Sequence, residues 1–147
     1  MKPKVIVIAG PTASGKTSTS IKIAKELNGE IISADSMQVY KEMNIGTAKP
    51  SMEERDGVMH YLMDIVSPDE LYNVTMYKKM AEEAIDEILA KGKVPVIVGG
   101  TGLYVSTLIN GIEFSEVQED TEYRNEDGGK CMPIGDPCIR IAYYRYR

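Results

Sequence analysis

The apolar run Val5-Ile6-Val7-Ile8-Ala9 stops at a turn, Gly10-Pro11-Thr12-Ala13-Ser14-Gly15-Lys16-Thr17, with the spacing of a phosphate-binding loop. A buried strand that feeds such a turn, and a helix beginning at about Lys16, commit the chain to an α/β fold. The outer glycines let the backbone curl without a Cβ clash, so that successive N–H groups point inward at an anion. The start of the helix adds uncapped N–H donors and a partial positive charge. Lys16 brings a mobile full charge to phosphate oxygens, and the Thr17 hydroxyl is suited to ligating Mg²⁺. A glycine turn with no ligand is the structural alternative, and the strand, loop and helix in that order argue against it. Residues 10–17 are therefore expected to hold a phosphate or diphosphate.

The alternation continues. Ile21, Ile23, Ala24 and Leu27 fall near one helical face, and Asn28-Gly29 reads as a left-handed helix end. Glu30 to Ser33 reads as a second strand running into Asp35-Ser36, Met43 to Met52 as a loop, and Tyr61 to Val66 as a third strand closed by Ser67-Pro68. The clearest helix is capped at Asn73 or Thr75, carries an apolar stripe from Tyr77 to Leu89 and stops at Gly92. Val94 to Val98 is unbroken enough in apolarity for a buried parallel strand, with Pro95 confined to its start. A short helix spans about Leu103 to Ile109. The predicted fold is a parallel sheet of the phosphate-loop type with helices on both faces. Its ligands should collect at the carboxyl ends of the strands. The phosphate loop, Ala34 to Gln38 and Gly99-Gly100-Thr101-Gly102 all sit at such ends and are expected to line one crevice.

At 147 residues and a net charge of −5, the chain is one domain without a broadly basic nucleic-acid surface, although a local cationic site remains compatible with that charge. No apolar run approaches the ~20 residues of a membrane span, and no signal-peptide pattern precedes the first strand. The two cysteines, Cys131 and Cys138, make no disulfide framework and, with no histidine or further cysteine near them, no zinc site. A reducing, cytoplasmic compartment is expected.

Four blocks in order carry a family resemblance: the loop at 10–17, Asp35-Ser36-Met37-Gln38-Val39-Tyr40, Met43-Asn44-Ile45-Gly46-Thr47-Ala48-Lys49-Pro50, and Gly99-Gly100-Thr101-Gly102-Leu103-Tyr104. Together they resemble the tRNA dimethylallyltransferases over residues 1 to about 126, where Asp120 to Arg124 looks like a further Asp-x-x-x-Arg element. The resemblance implies transfer of a dimethylallyl group from dimethylallyl diphosphate to N6 of an adenosine beside the anticodon of tRNA. It implies Mg²⁺ as cofactor, the metal held by Thr17 and diphosphate oxygens; a monomer is expected apart from the resemblance. Diphosphate would sit on Gly10 to Thr17, with Thr12, Lys16 and Thr17 acting on the leaving group. Asp35 stands where the family has its general base. Asp35, Ser36, Met37, Gln38, Thr101 and Arg124 would contact tRNA, the target base leaving its stack to be reached.

Each assignment has a structural rival: Asp35 and Thr101 as helix or turn caps, Gly99-Gly100 as a tight turn, Arg124 as a surface charge. His60 is read as structural. The family carries further strands, a helical insertion and a later arginine, none recognisable here. The pattern breaks between Glu126 and Gly128, so 1–126 is expected to be an incomplete core and 127–147 an atypical, disordered tail. Such a chain is expected to keep diphosphate binding with little transfer activity. The competing enzyme class is a small ATP-dependent nucleoside or nucleotide kinase, for which Asp64 is the available Mg²⁺-organising acid.

Overall fold

A computed structural model of the chain describes residues 4–11, 13–44, 46–47, 49–110 and 140–145. The elements run β1 (Lys4–Ala9), α1 (Lys16–Glu26), β2 (Gly29–Ser33), β3 (His60–Tyr61), α2 (Val74–Ala90), β4 (Val94–Gly99), α3 (Gly102–Asn110) and β5 (Arg140–Arg145). They form one sheet in the order β3-β2-β4-β1-β5, with β1 to β4 mutually parallel. Strand residues alternate between two cores, as period-two geometry demands. Val5, Val7, Ile32, Ala34 and Ile97 face α2 and α3, whereas Ile6, Ile8, Ile31 and Val96 face α1. Helices therefore cover both faces, as the alternating pattern predicts.

The helix ends follow their capping chemistry. Asn73 accepts the Met76 N–H at 2.9 Å and starts α2, whose buried stripe is Tyr77, Ala81, Ala84, Ile85 and Ile88. At the other end Gly92, with φ 71°, donates to the Leu89 carbonyl while Lys93 donates to that of Ile88, so a glycine closes the helix through paired bonds. Gly92→Ala, forcing a Cβ into the left-handed region, should cost about 1 kcal/mol, read as a lowered midpoint in urea at unchanged slope. After α1 the left-handed residue is Asn28, φ 51°. Gly29 serves differently: a Cβ there would lie 2.7 Å from the Val94 carbonyl oxygen.

Two sequence expectations are corrected. The strand expected over 61–66 is only His60–Tyr61, because Leu62 (φ 61°) and Asp64 (φ 56°) are left-handed and cannot extend a ladder. The 64–66 segment pairs instead with 38–41, through Asp64 N–H to Gln38 O, Ile65 and Val66 N–H to Val39 O, and Lys41 N–H to Val66 O. The second correction lies in the atypical stretch, read as lacking any core element. Arg140–Arg145 forms β5, antiparallel to β1 from Lys4↔Arg145 to Ala9↔Arg140, so the sheet is mixed and β1 is not its edge. The rest of 127–147, including Cys131 and Cys138, lies outside the described residues.

Away from the crevice, Glu30 ties β2 to its surroundings. Its carboxylate accepts from Lys93 Nζ at 2.7 Å and Tyr61 Oη at 3.0 Å. Burial alone would raise its pKa, but the hydrogen bonds from Lys93 and Tyr61 together with the charges of Lys91 and Lys93 outweigh it and hold the carboxyl below the usual carboxylate range.

Candidate active site

Parallel strands bring their carboxyl ends to one rim, and the three expected clusters meet there. A cavity of about 620 Å³ is lined by Ala13, Gly15, Lys16 and Thr17 from the phosphate loop, by Asp35, Met37 and Gln38, and by Gly99 and Gly100. Gly46, Thr47 and Lys49 also line it, and Ile21, Ile31 and Val98 supply an apolar part of its wall.

The loop is built to receive an anion. Gly15 precedes α1 with φ 83°, makes no side-chain cap, and the first turn contains no acidic residue, so the first-turn N–H groups are not answered by a local side chain. Ser14 Oγ donates to the Pro11 carbonyl at 2.7 Å and fixes the curl of the loop. Lys16 donates to the same carbonyl, which holds its ammonium over the loop. Burial lowers the Lys16 pKa, and the negative charge of Asp35 partly restores it. Asp35 therefore lies within electrostatic reach of the cradle. Thr12 and Arg124 lie outside the described residues.

Asp35 turns out to be both a cap and a group lining the crevice. Its Oδ1 accepts the Met37 N–H at 2.8 Å and the Gln38 N–H at 3.3 Å, which orients the carboxylate and leaves Oδ2 without a hydrogen-bond partner among the described residues. Thr101 stitches the neighbouring strand ends together. Its Oγ1 accepts the Ser36 N–H at 3.3 Å, its N–H donates to Ala34 O at 3.4 Å, and its carbonyl accepts from Tyr104 and Val105 at the start of α3. Met37 is 45% exposed at the rim. Gln38 does not present a free amide. Its Nε2 donates to Thr47 O at 3.0 Å and its Oε1 accepts from Ser33 Oγ at 3.1 Å.

His60 also lines the cavity, with Nδ1 2.8 Å from the Val58 carbonyl, where it acts as donor. Burial, with Arg55 nearby, holds its pKa below the ordinary histidine value, so the ring is neutral at pH 7. Asp64, the acid a kinase would need, is instead engaged by Lys49 at 2.5 Å and Arg55 at 3.6 Å and does not line the cavity. The kinase reading is not favoured. Among the described residues no cluster of three or more acidic, histidine or cysteine side chains could hold a metal. Gly46, Thr47 and Lys49 were missed as site residues. The signal was present in the Met43–Pro50 block, which carries the resemblance without an assigned role.

An α/β sheet whose glycine-rich loop opens α1, with Asp35 lining the same crevice, defines a protein of the phosphate-loop class. The IPP transferase family matches residues 38–131, and the chain belongs to that family. It is 59% identical over 122 residues to a tRNA dimethylallyltransferase of Acetivibrio thermocellus, covering 83% of this chain and 39% of the relative. It is 57% identical over 126 residues to one of Lachnoclostridium phytofermentans, covering 86% and 40%. Among solved structures, the full-length tRNA isopentenylpyrophosphate transferase of Bacillus halodurans superposes with a TM-score of 0.73 at 50% identity, covering 82% of this chain and 39% of that one. A eukaryotic dimethylallyltransferase acting on tRNA gives a TM-score of 0.72 at 38% identity, over 85% and 32%. The chain thus spans about two fifths of the length of the curated relatives it matches.

Proposed function

We propose that this chain carries the diphosphate cradle and the proton acceptor of a tRNA prenyltransferase, moving a dimethylallyl group from dimethylallyl diphosphate to N6 of an adenosine beside the anticodon. The observation that supports this most is Asp35 lining the same crevice as Lys16, near enough to act on its charge. In this reading the bond between the prenyl C1 and the diphosphate oxygen breaks while N6 bonds to C1, and the N6 proton passes to Asp35. The loop N–H groups and Lys16 take up the charge that develops on the departing diphosphate. Asp35, oriented by the Met37 and Gln38 amides, assists an amine that is a weak nucleophile. Bound Mg²⁺ would supply further charge neutralisation. Thr17 fits that role, because its hydroxyl has no hydrogen-bond partner among the described residues and the remaining ligands are diphosphate oxygens. Ser36, Met37, Gln38 and Thr101 form the acceptor side, and Arg124 is assigned to tRNA on the family pattern alone. On the sequence reading alone we assign the protein to the cytoplasm as a monomer; separately, no helix among the described residues is long and apolar enough to cross a membrane.

Calorimetric titration with dimethylallyl diphosphate and, in parallel, ATP tests the reading. Tighter binding of the prenyl diphosphate is expected; ATP binding tighter by about tenfold (1.4 kcal/mol) would restore the kinase class. Asp35→Asn preserves both amide bonds through its Oδ1 and removes a charge that repels diphosphate. It should bind dimethylallyl diphosphate as tightly as the parent, or up to about threefold tighter, while whatever residual transfer to an anticodon stem-loop the parent shows is lost. Weaker diphosphate binding in that variant contradicts the assignment of Asp35 to the acceptor side.

A further inference from the structure

Lys49 is buried to 3% side-chain exposure at the crevice, where a lysine persists only when its charge is met. Its ammonium donates to the Tyr40 carbonyl at 2.8 Å and to Asp64 Oδ1 at 2.5 Å. Arg55 approaches the other Asp64 oxygen at 3.6 Å and ties its Nε to the Pro50 carbonyl at 3.2 Å. The charge cluster thus joins three stretches of chain: the 36–41 turn, the 46–50 segment and the left-handed stretch around Asp64. Beside it runs the backbone ladder from 38–41 to 64–66, and Gln38 bridges from Ser33 to Thr47.

A buried ion pair is a poor source of stability, since apolar residues of similar volume hold a core as well or better. What it supplies here is direction: two oriented acceptors fix the ammonium, and the ammonium fixes the carbonyl of Tyr40, five residues beyond Asp35. We propose that Lys49, through its ion pair with Asp64, is a positioning residue that sets the Asp35–Gln38 turn over the crevice, at a fixed distance from the phosphate cradle. This rests on the reading of Asp35 and its turn as the acceptor side. Among the described residues no hydrogen bond or ion pair joins the phosphate loop to Lys49 or Asp64, so the pair acts on the turn more than on the cradle.

The test compares the parent chain with Lys49→Met and Asp64→Asn. Asp64 is 40% exposed, so it can be rehydrated when left alone, and asparagine tolerates its left-handed backbone. Three quantities are read: amide hydrogen exchange at Met37 and Gln38, calorimetric affinity for dimethylallyl diphosphate, and affinity for an adenosine-bearing anticodon stem-loop. In Lys49→Met, exchange at Met37 and Gln38 should quicken about tenfold or more. Stem-loop affinity should fall about tenfold, and diphosphate affinity should fall by clearly less than that. Unchanged exchange at 37 and 38 overturns the proposal. So do parallel losses of diphosphate and stem-loop affinity with a lowered Tm, which mark a general strut. If Lys49→Met fails to fold, Asp64→Asn is judged by the same criteria. Where the parent chain, two fifths of its relatives' length, does not hold the stem-loop, exchange at 37 and 38 and diphosphate affinity decide whether Lys49 positions the turn.

Discussion

Lys16→Met will weaken dimethylallyl diphosphate binding about ten- to a hundredfold while leaving the empty protein as stable as the parent, or slightly more so. The first half follows from charge-assisted hydrogen bonding, where removing one cationic partner of an anion costs about 1.5–3 kcal/mol, or roughly ten- to a hundredfold. Lys16 is only partly buried, so water still competes for its ammonium and the whole of that range applies. The second half follows from the lowered pKa: an ammonium that burial disfavours contributes nothing to the fold before its anion arrives. Isothermal titration and a thermal melt of the same preparation check both. The sign with pH is fixed as well. The protonated amine is the binding form and its folded pKa is depressed, so affinity is retained on the acid side. It falls as pH rises through the lowered value, sooner than an ordinary lysine at 10.5 would allow. Binding that survives Lys16→Met within a few-fold would move the anion to the loop amides alone.

What the sequence disclosed and what it hid divide along one line, local chemistry against distant pairing. The cradle, the Asn73 cap, the Gly92 stop and the Tyr77 to Ile88 stripe are decided by neighbours within a few residues, and each was legible. The strand expected past Tyr61 fails because residues 64–66 find partners at 38–41, more than twenty positions upstream, and those bonds outweigh the β-propensity of Tyr61 to Val66. β5 was invisible for the same reason, since its partner β1 begins the described chain. In the site, Asp35 and Lys16 could be placed because strand ends converge in any parallel sheet. The partners of Gln38 and Lys49 could not. An amide that looks free to read a base is held by Ser33 and Thr47, and a lysine in a polar loop is buried on a charge fifteen residues away. Gly99 was expected in the crevice wall, where it lies, but its close approach to the Ala34 backbone was not legible.

That contact carries the largest expected stability effect in the molecule. A Cβ on Gly99 would lie 2.3 Å from the Ala34 carbonyl oxygen, 2.5 Å from its carbon and 2.9 Å from its Cα, all backbone atoms that no rotamer change can clear. Nor can Ala34 retreat, for its N–H donates to Val98 O at 2.7 Å and its carbonyl accepts from Thr101. Gly99→Ala must therefore part the ends of β2 and β4, costing about 3 kcal/mol or more, where ordinary overpacking costs 1–3. For a chain of this size that is a fall in Tm on the order of 10 °C. Gly100→Ala, whose Cβ would sit 3.3 Å from Gly10 O, should cost under about 1 kcal/mol, and Gly102→Ala, with open space around it, close to nothing. The order Gly99, Gly100, Gly102 in thermal melts is the discriminating result, and equal effects at all three would mean the strand ends are not held in contact. A Gly99→Ala chain that still folds should also carry Asp35 away from Lys16. Diphosphate binding should then lose less than transfer to the stem-loop does, because the cradle hangs from β1 and the acid from β2.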